Sequence, residues 1–198
     1  MNSLDAIFSP ESVAIIGASN TPGKVGHDIF ANILQGGFQG TLYPVNPNAK
    51  SILSVKTFPA ITAISDSVDL AIIILPPKAC IRAVEEAIAK GVKGIVIVSA
   101  GFREVGGEGI EIENRIISLC KAANVRLVGP NCLGVINPLP DVSLNASFSR
   151  RMPAAPPNLA RSTSWSTTPA RWRWATSRIS ITRKWKACAA PTWTAWFS

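Results

Sequence analysis

Six consecutive apolar residues, Leu70-Ala71-Ile72-Ile73-Ile74-Leu75, constrain the fold more than any other stretch of this chain. A strand with one wet face alternates apolar and polar side chains, so an unbroken run means that both faces are covered. Shorter runs of the same kind recur at Val13-Ala14-Ile15-Ile16, Thr41-Leu42-Tyr43-Pro44-Val45, residues 94–98 and Arg126-Leu127-Val128. Between them lie helical patterns over residues 26–35, closed by Gly36-Gly37, over 79–90, stopped by Gly91, and over 109–123. Doubly covered strands, each followed by a helix, predict an α/β fold: a doubly wound parallel sheet of about five strands in residues 1–148.

Composition supports that reading only as far as residue 150. At 47% hydrophobic and 16% charged, the 198 residues can bury a core, and no apolar run is long enough to span a bilayer. Met1-Asn2-Ser3-Leu4-Asp5 lacks the basic start and apolar centre of a secretory signal. Cys80, Cys120, Cys132 and Cys188 form no C-x-x-C pair, which predicts a reduced, cytoplasmic chain with neither a zinc site nor a disulfide framework. The formal charge of +8 arises entirely after residue 150, because residues 1–150 carry 12 basic and 12 acidic side chains. The remaining 48 residues hold eight basic and no acidic residues, all six tryptophans and none of the 14 glycines.

Arg171-Trp172-Arg173-Trp174 and Arg183-Lys184-Trp185-Lys186 interleave cations with aromatic rings, a pattern that also suits single-stranded nucleic acid or a membrane surface. Yet Gly, Asp and Glu vanish together at one point, while residues with GC-rich codons take over, as a shifted reading frame would produce. Residues 149–198 are therefore read as an irregular, poorly ordered or out-of-frame tail, and their charge as no evidence for a nucleic-acid partner.

The first predicted strand runs into Gly17-Ala18-Ser19-Asn20-Thr21-Pro22-Gly23-Lys24-Val25-Gly26, which opens the first helix. Such a loop offers backbone N–H groups and a helix N-terminus to an anion. Gly17 and Gly23 permit close approach, and Lys24 adds a cation. Two familiar phosphate motifs fail on spacing. The dinucleotide fingerprint G-x-G-x-x-G would need glycine at position 19, which is Ser19. The G-x-x-x-x-G-K-S/T loop would need one residue fewer between Gly17 and Gly23, and a hydroxyl where Val25 stands.

The second strand ends in Val45-Asn46-Pro47-Asn48-Ala49-Lys50, without the carboxylate that usually holds the ribose of NAD. A lysine there suits a ribose that carries a phosphate, as in coenzyme A or NADP. Three further loops follow predicted strands, where ligands bind in such sheets. These are Leu75-Pro76-Pro77-Lys78, Val98-Ser99-Ala100-Gly101-Phe102-Arg103-Glu104 and Gly129-Pro130-Asn131-Cys132-Leu133-Gly134. Pro76 offers an apolar wall for a base, and the small residues after Val98 allow close approach. Cys132 has no histidine to pair with except His27, and is read as an ordinary loop residue. Cys80 and Cys120 sit at core positions of helices.

Five segments in order carry a resemblance: residues 12–19, Tyr43-Pro44-Val45-Asn46-Pro47, residues 99–104, residues 129–134 and Asn145-Ala146-Ser147-Phe148. Through them, residues 8–148 resemble the Rossmann-like CoA-binding domain of NDP-forming acid–CoA ligases. That group includes ADP-forming acetyl-CoA synthetase, the α subunit of succinyl-CoA synthetase and part of some bacterial protein lysine acetyltransferases. The resemblance implies coenzyme A as the ligand, with residues 19–25 cradling its pyrophosphate beside Gly17 and Ala18. It implies that Lys50, with Asn46 nearby, faces the ribose 3′-phosphate, that Pro76 lies near the adenine, and that Val98, Ser99 and Ala100 line the pantetheine path.

In the family, acyl-CoA, ADP and phosphate interconvert with acid, CoA and ATP through a phosphohistidine, with an ATP-grasp domain or subunit as partner. That histidine belongs to a following domain. The sole histidine here, His27, stands in the first turn after the phosphate loop, so no catalytic or metal-binding residue is assigned. The chain is expected to bind CoA without completing the ligase reaction alone. A stand-alone CoA-binding module, a regulatory domain of a protein acetyltransferase, and a fragment of an NAD(P)-dependent oxidoreductase are the competing readings.

Overall fold

Alternate side chains of a strand point to opposite faces, and in the middle of this protein both faces are buried. A computed structural model describes residues 4–148; the predicted tail lies outside the described residues. A short helix α1 (Asp5–Phe8) leads into β1 (Ser12–Ile16), α2 (Val25–Gln35) and β2 (Thr41–Val45). A small hairpin, β3 (Ser51–Ile52) and β4 (Val55–Lys56), and a single 3₁₀ turn (Ile61–Ala63) follow. The chain continues through β5 (Leu70–Ile73), α3 (Pro77–Lys90), β6 (Gly94–Ile97), a 3₁₀ turn (Arg103–Val105), α4 (Glu108–Ala122) and β7 (Arg126–Val128). A second hairpin, β8 (Gly134–Asn137) and β9 (Leu144–Ser147), completes it.

Five strands form one parallel sheet in the order β2-β1-β5-β6-β7, the Rossmann-like architecture expected. On one face Ala14, Ile16, Ala71, Ile73, Ile95 and Ile97 pack against α3 and α4, through side chains such as Val84, Ala87, Ile112 and Ile116. On the other, Val13, Ile15, Leu70, Ile72 and Val96 meet Ile29, Phe30 and Ile33 of α2 and Val135, Leu144 and Ala146 of the second hairpin. Asp69 fixes the start of the sheet: its Oδ2 accepts the backbone N–H groups of Glu11 (3.0 Å) and Ser12 (3.1 Å) and the Ser12 hydroxyl (3.2 Å).

Three details depart from the sequence reading. No helix follows β2. Asn46-Pro47-Asn48 and Pro59 break the segment, so the first hairpin and a 3₁₀ turn carry the chain to β5, burying Ile52 and Ile61 instead of a helical face. Helix α3 begins at Pro77, two residues before the expected start, since proline at the first helical position loses no hydrogen bond. The second hairpin was not anticipated. It packs on the α2 side of the sheet, where Asn32 Nδ2 donates to the Ser147 carbonyl at 2.7 Å.

Cys80 and Cys120 are buried among the core side chains, as expected. Burial pushes both thiols up to about 11. Alkylation depends on the thiolate, so in a Cys188→Ser variant at pH 8 Cys80 and Cys120 are expected to react only after denaturation. Rapid labelling of either in the native protein, read by peptide mass, would contradict this packing. Among the described residues no helix is long and apolar enough to cross a membrane.

Candidate functional site

Helix α2 leaves β1 for one face of the sheet, whereas α3 leaves the adjacent β5 for the other. The crevice between two such diverging connections, at the carboxyl ends of the strands, is where open α/β sheets bind ligands. Here it is bounded by the loop from Gly17 to Lys24 and by Ile74, Leu75 and Pro76. The last rungs of the ladder hold its floor: Gly17 donates to the Val45 carbonyl (3.1 Å), and Ile74 donates to that of Ile16 (2.8 Å).

Two glycines make the geometry possible. Gly17 has φ +99°, and a Cβ there would lie 2.2 Å from the Ile74 carbonyl oxygen. Gly26, in the first turn of α2, touches the loop so closely that a Cβ would lie 2.1 Å from the Gly17 carbonyl oxygen. Gly26 was read only as the start of a helix. Its contact with Gly17 does for helix–strand packing what the last glycine of the dinucleotide fingerprint does.

The N-terminus of α2 has no side-chain cap; Lys24 precedes it in extended conformation, and Lys24 and Val25 are exposed. Its first N–H groups therefore have no side-chain acceptor, and the positive end of its dipole lies where the loop from Gly17 to Lys24 ends, as an anion site requires. Ser19 turns inward on the loop, its Oγ accepting the Thr21 N–H at 3.1 Å. None of the ion pairs among the described residues engages Lys24 or Lys50.

Asn46 ties the end of β2 to the loop. Its Nδ2 donates to the Ala18 carbonyl at 2.8 Å, and its Oδ1 accepts the Asn48 N–H at 2.8 Å. Lys50 follows on the same turn, one residue before Ser51, whose carbonyl accepts Asn20 Nδ2 at 2.6 Å. The structure thus brings the lysine-bearing turn into hydrogen-bond contact with the phosphate loop. The β3–β4 hairpin, and with it the contact Asn20 makes, escaped the sequence reading, because strands of two residues have no legible period and the Leu53-Ser54 turn has no glycine or asparagine.

The loops after β5, β6 and β7 lean on one another. Pro76 is the exposed residue preceding α3, and Gly101 passes so near Pro77 that a Cβ would come within 2.9 Å of its ring. Val98 is buried, Ser99 half-buried and Ala100 exposed, and the Ser99 carbonyl accepts the Asn131 N–H at 2.9 Å. Glu104 Oε1 and Oε2 accept the N–H groups of Gly101 (2.5 Å) and Phe102 (3.2 Å). Burial works to raise this carboxyl, but backbone N–H donors outweigh it and hold the group below its ordinary value.

Cys132 Sγ donates to the Ile97 carbonyl at 3.3 Å; its thiol is raised, chiefly by burial, which suits a packed loop residue better than a nucleophile. His27 is half-buried, with Nδ1 3.2 Å from Asp28 Oδ1. A separate cleft of about 360 Å³ opens at the opposite, amino-terminal end of β1 and β2, lined in part by Glu11 and Asp141. Its two carboxylates and the absence of any lysine or arginine from its walls make it a poor receptor for an anion, unlike the loop cluster.

Residues 11–138, more than half of the chain, match the family described as the CoA binding domain. The chain belongs to that family. Coenzyme A is accordingly the ligand of this domain. The chain is 50% identical over 131 residues to ADP-forming acetate–CoA ligase II of Archaeoglobus fulgidus, covering 66% of this chain and 20% of that protein. It is 44% identical over 150 residues to the ADP-forming acetate–CoA ligase of Methanocaldococcus jannaschii, covering 76% and 20%. Among solved structures it resembles the dinucleotide-forming acetyl-coenzyme A synthetase 1 of Ca. Korarchaeum cryptofilum in complex with phosphate and ADP. There the TM-score is 0.69 and the identity 35%, over 75% of this chain and 31% of the other. This CoA-binding chain thus spans about a fifth of the length of these curated relatives.

Proposed function

We propose that residues 1–148 form the CoA-binding domain of an ADP-forming acid–CoA ligase, placed in the cytoplasm, and that CoA lies across the carboxyl ends of β1, β2, β5 and β6. In this reading the pyrophosphate sits on Gly17, Ala18, Ser19, Gly23, Lys24 and Val25, and Lys50 pairs with the 3′-phosphate while Asn46 holds its turn. The adenine stacks on Pro76, and pantetheine runs past Val98, Ser99 and Ala100 toward the reactive end. The observation that carries the reading is the hydrogen-bond contact between a lysine-bearing turn and the loop that leads into an uncapped helix N-terminus. It offers two anion sites on neighbouring loops, as a nucleotide with both a pyrophosphate and a ribose phosphate requires.

Ligase turnover needs a phosphoryl carrier and an ATP site. The chain's one histidine, His27, lies beside Asp28 on α2, so this polypeptide is proposed to bind CoA and to depend on an ATP-grasp partner for chemistry. A CoA-binding module acting without catalysis is the second reading: among the described residues His27 lies beside Asp28 and Cys132 is packed against the Ile97 carbonyl.

Calorimetric titration of the full chain with CoA, dephospho-CoA and NADP tests the assignment. CoA is expected to bind about 10- to 100-fold tighter than dephospho-CoA, the range of one charge-assisted contact. Lys50→Ala should remove most of that preference. Tighter binding of NADP than of CoA would overturn the ligand geometry, and undiminished discrimination by Lys50→Ala would overturn the role of Lys50.

A further inference from the structure

Asn20 lies in the middle of the phosphate loop, but its side chain is turned out of it. Nδ2 donates to the Ser51 carbonyl at 2.6 Å, and Oδ1 accepts the Leu53 N–H at 3.1 Å. One amide thereby holds β3 and the first residue of the hairpin turn, whose residues Leu53 (φ 46°) and Ser54 (φ 69°) are both left-handed. The hairpin's buried face and its root are anchored independently of Asn20. Ile52 is fully buried, Thr57 donates to the Lys50 carbonyl at 3.1 Å, and Asn46 donates to the Phe58 carbonyl at 2.9 Å. The hairpin is thus a rigid arm that carries Lys50 at its root and Lys56 opposite Ser51 in register. Asn20 is the only described side chain of the phosphate loop that bonds to this arm.

We propose that Asn20 is a positioning residue that sets the spacing between the pyrophosphate cradle and the lysine-bearing arm, and so determines preference for a ribose 3′-phosphate. The inference rests on the CoA geometry proposed above. A phosphate contact is selective only if the cation is held at a fixed distance from the rest of the ligand's binding site. Two hydrogen bonds from one amide fix that distance directly. Without them, among the described residues, the loop would be tied to the arm's root only through Asn46 Nδ2 on the Ala18 carbonyl. The middle of the cradle could then shift relative to the anchored Lys50 while Lys24 and the α2 N-terminus still hold the pyrophosphate.

The discriminating quantity is the ratio of dephospho-CoA to CoA dissociation constants, measured on the full chain. Asn20→Ala should lower this ratio about fivefold, the range of a modest hydrogen-bond difference, because CoA affinity falls more than dephospho-CoA affinity. Asn20→Asp keeps the acceptor for Leu53 but faces the Ser51 carbonyl with a carboxylate oxygen, so its ratio should also fall. Asn20 is exposed, and unchanged far-UV circular dichroism would establish that the variants fold. If both ligands weaken equally, or neither does, Asn20 does not position the arm and the proposal fails while the CoA site stands. If wild-type protein binds CoA without any 3′-phosphate preference, or not at all, both the proposal and the geometry beneath it fall.

Discussion

Gly17→Ala is expected to destabilise the protein by about 4 kcal/mol or more, lowering the melting temperature by roughly 10 °C. Two costs combine. At φ +99° an L-residue sits in a region that costs roughly 1–2 kcal/mol for lack of a Cβ-free backbone. The larger cost is steric, because the new methyl would lie 2.2 Å from the Ile74 carbonyl oxygen. That oxygen belongs to backbone, so β1 and β5 must part just where the crevice opens.

Gly23→Ala is the internal control. Gly23 shares the positive φ, at +83°, but has open space where a Cβ would go, so it should lose only about 1–2 kcal/mol. Far-UV circular dichroism is the appropriate probe, since it follows the helices and strands directly and residues 4–148 contain no tryptophan. Equal losses for the two variants would show that backbone conformation, not close packing, governs the loop. CoA affinity should fall at least tenfold in Gly17→Ala, since separating the strands displaces the α2 N-terminus.

Phe30→Ala should destabilise by about 3–5 kcal/mol, the range for deleting a buried aromatic ring. Phe30 is fully buried and packs with Ile15, Ile72 and the second hairpin on the α2 face. Removing it leaves a cavity beneath the helix whose first turn is proposed to hold the pyrophosphate, and a smaller native population then binds with a correspondingly weaker apparent affinity. Phe30→Leu fills most of the volume and should lose less than about 1.5 kcal/mol. It therefore remains informative if the alanine variant does not fold. A loss under 1 kcal/mol in Phe30→Ala would mean that α2 is not held by this face.

Residues with strong local signals were legible early. Leu70 to Ile73 had to be buried on both faces because no polar residue interrupts them, and Gly91, in left-handed conformation at the end of α3, marked where that helix stops. The phosphate loop was visible because its glycines and lysine sit between a strand and a helix. The spacing of those glycines also excluded the common dinucleotide and phosphate-loop motifs. The β3–β4 hairpin gave no such signal: it is too short for periodicity, and Ile52 and Ile61 reach the core singly.

Local chemistry along the chain therefore determined the α/β class and marked the loops at strand ends as candidate anion sites, since apolar runs, turn residues and loop motifs act over a few neighbours. The choice of coenzyme A over NADP came from the family resemblance. Tertiary structure alone decided that Asn20 bonds residues 31 and 33 positions away, that Gly26 rests on the Gly17 carbonyl, and that the Lys50 turn meets the phosphate loop. These are contacts between segments distant in sequence. Their partners are chosen by which faces the buried strands bring together, not by any pattern within either segment.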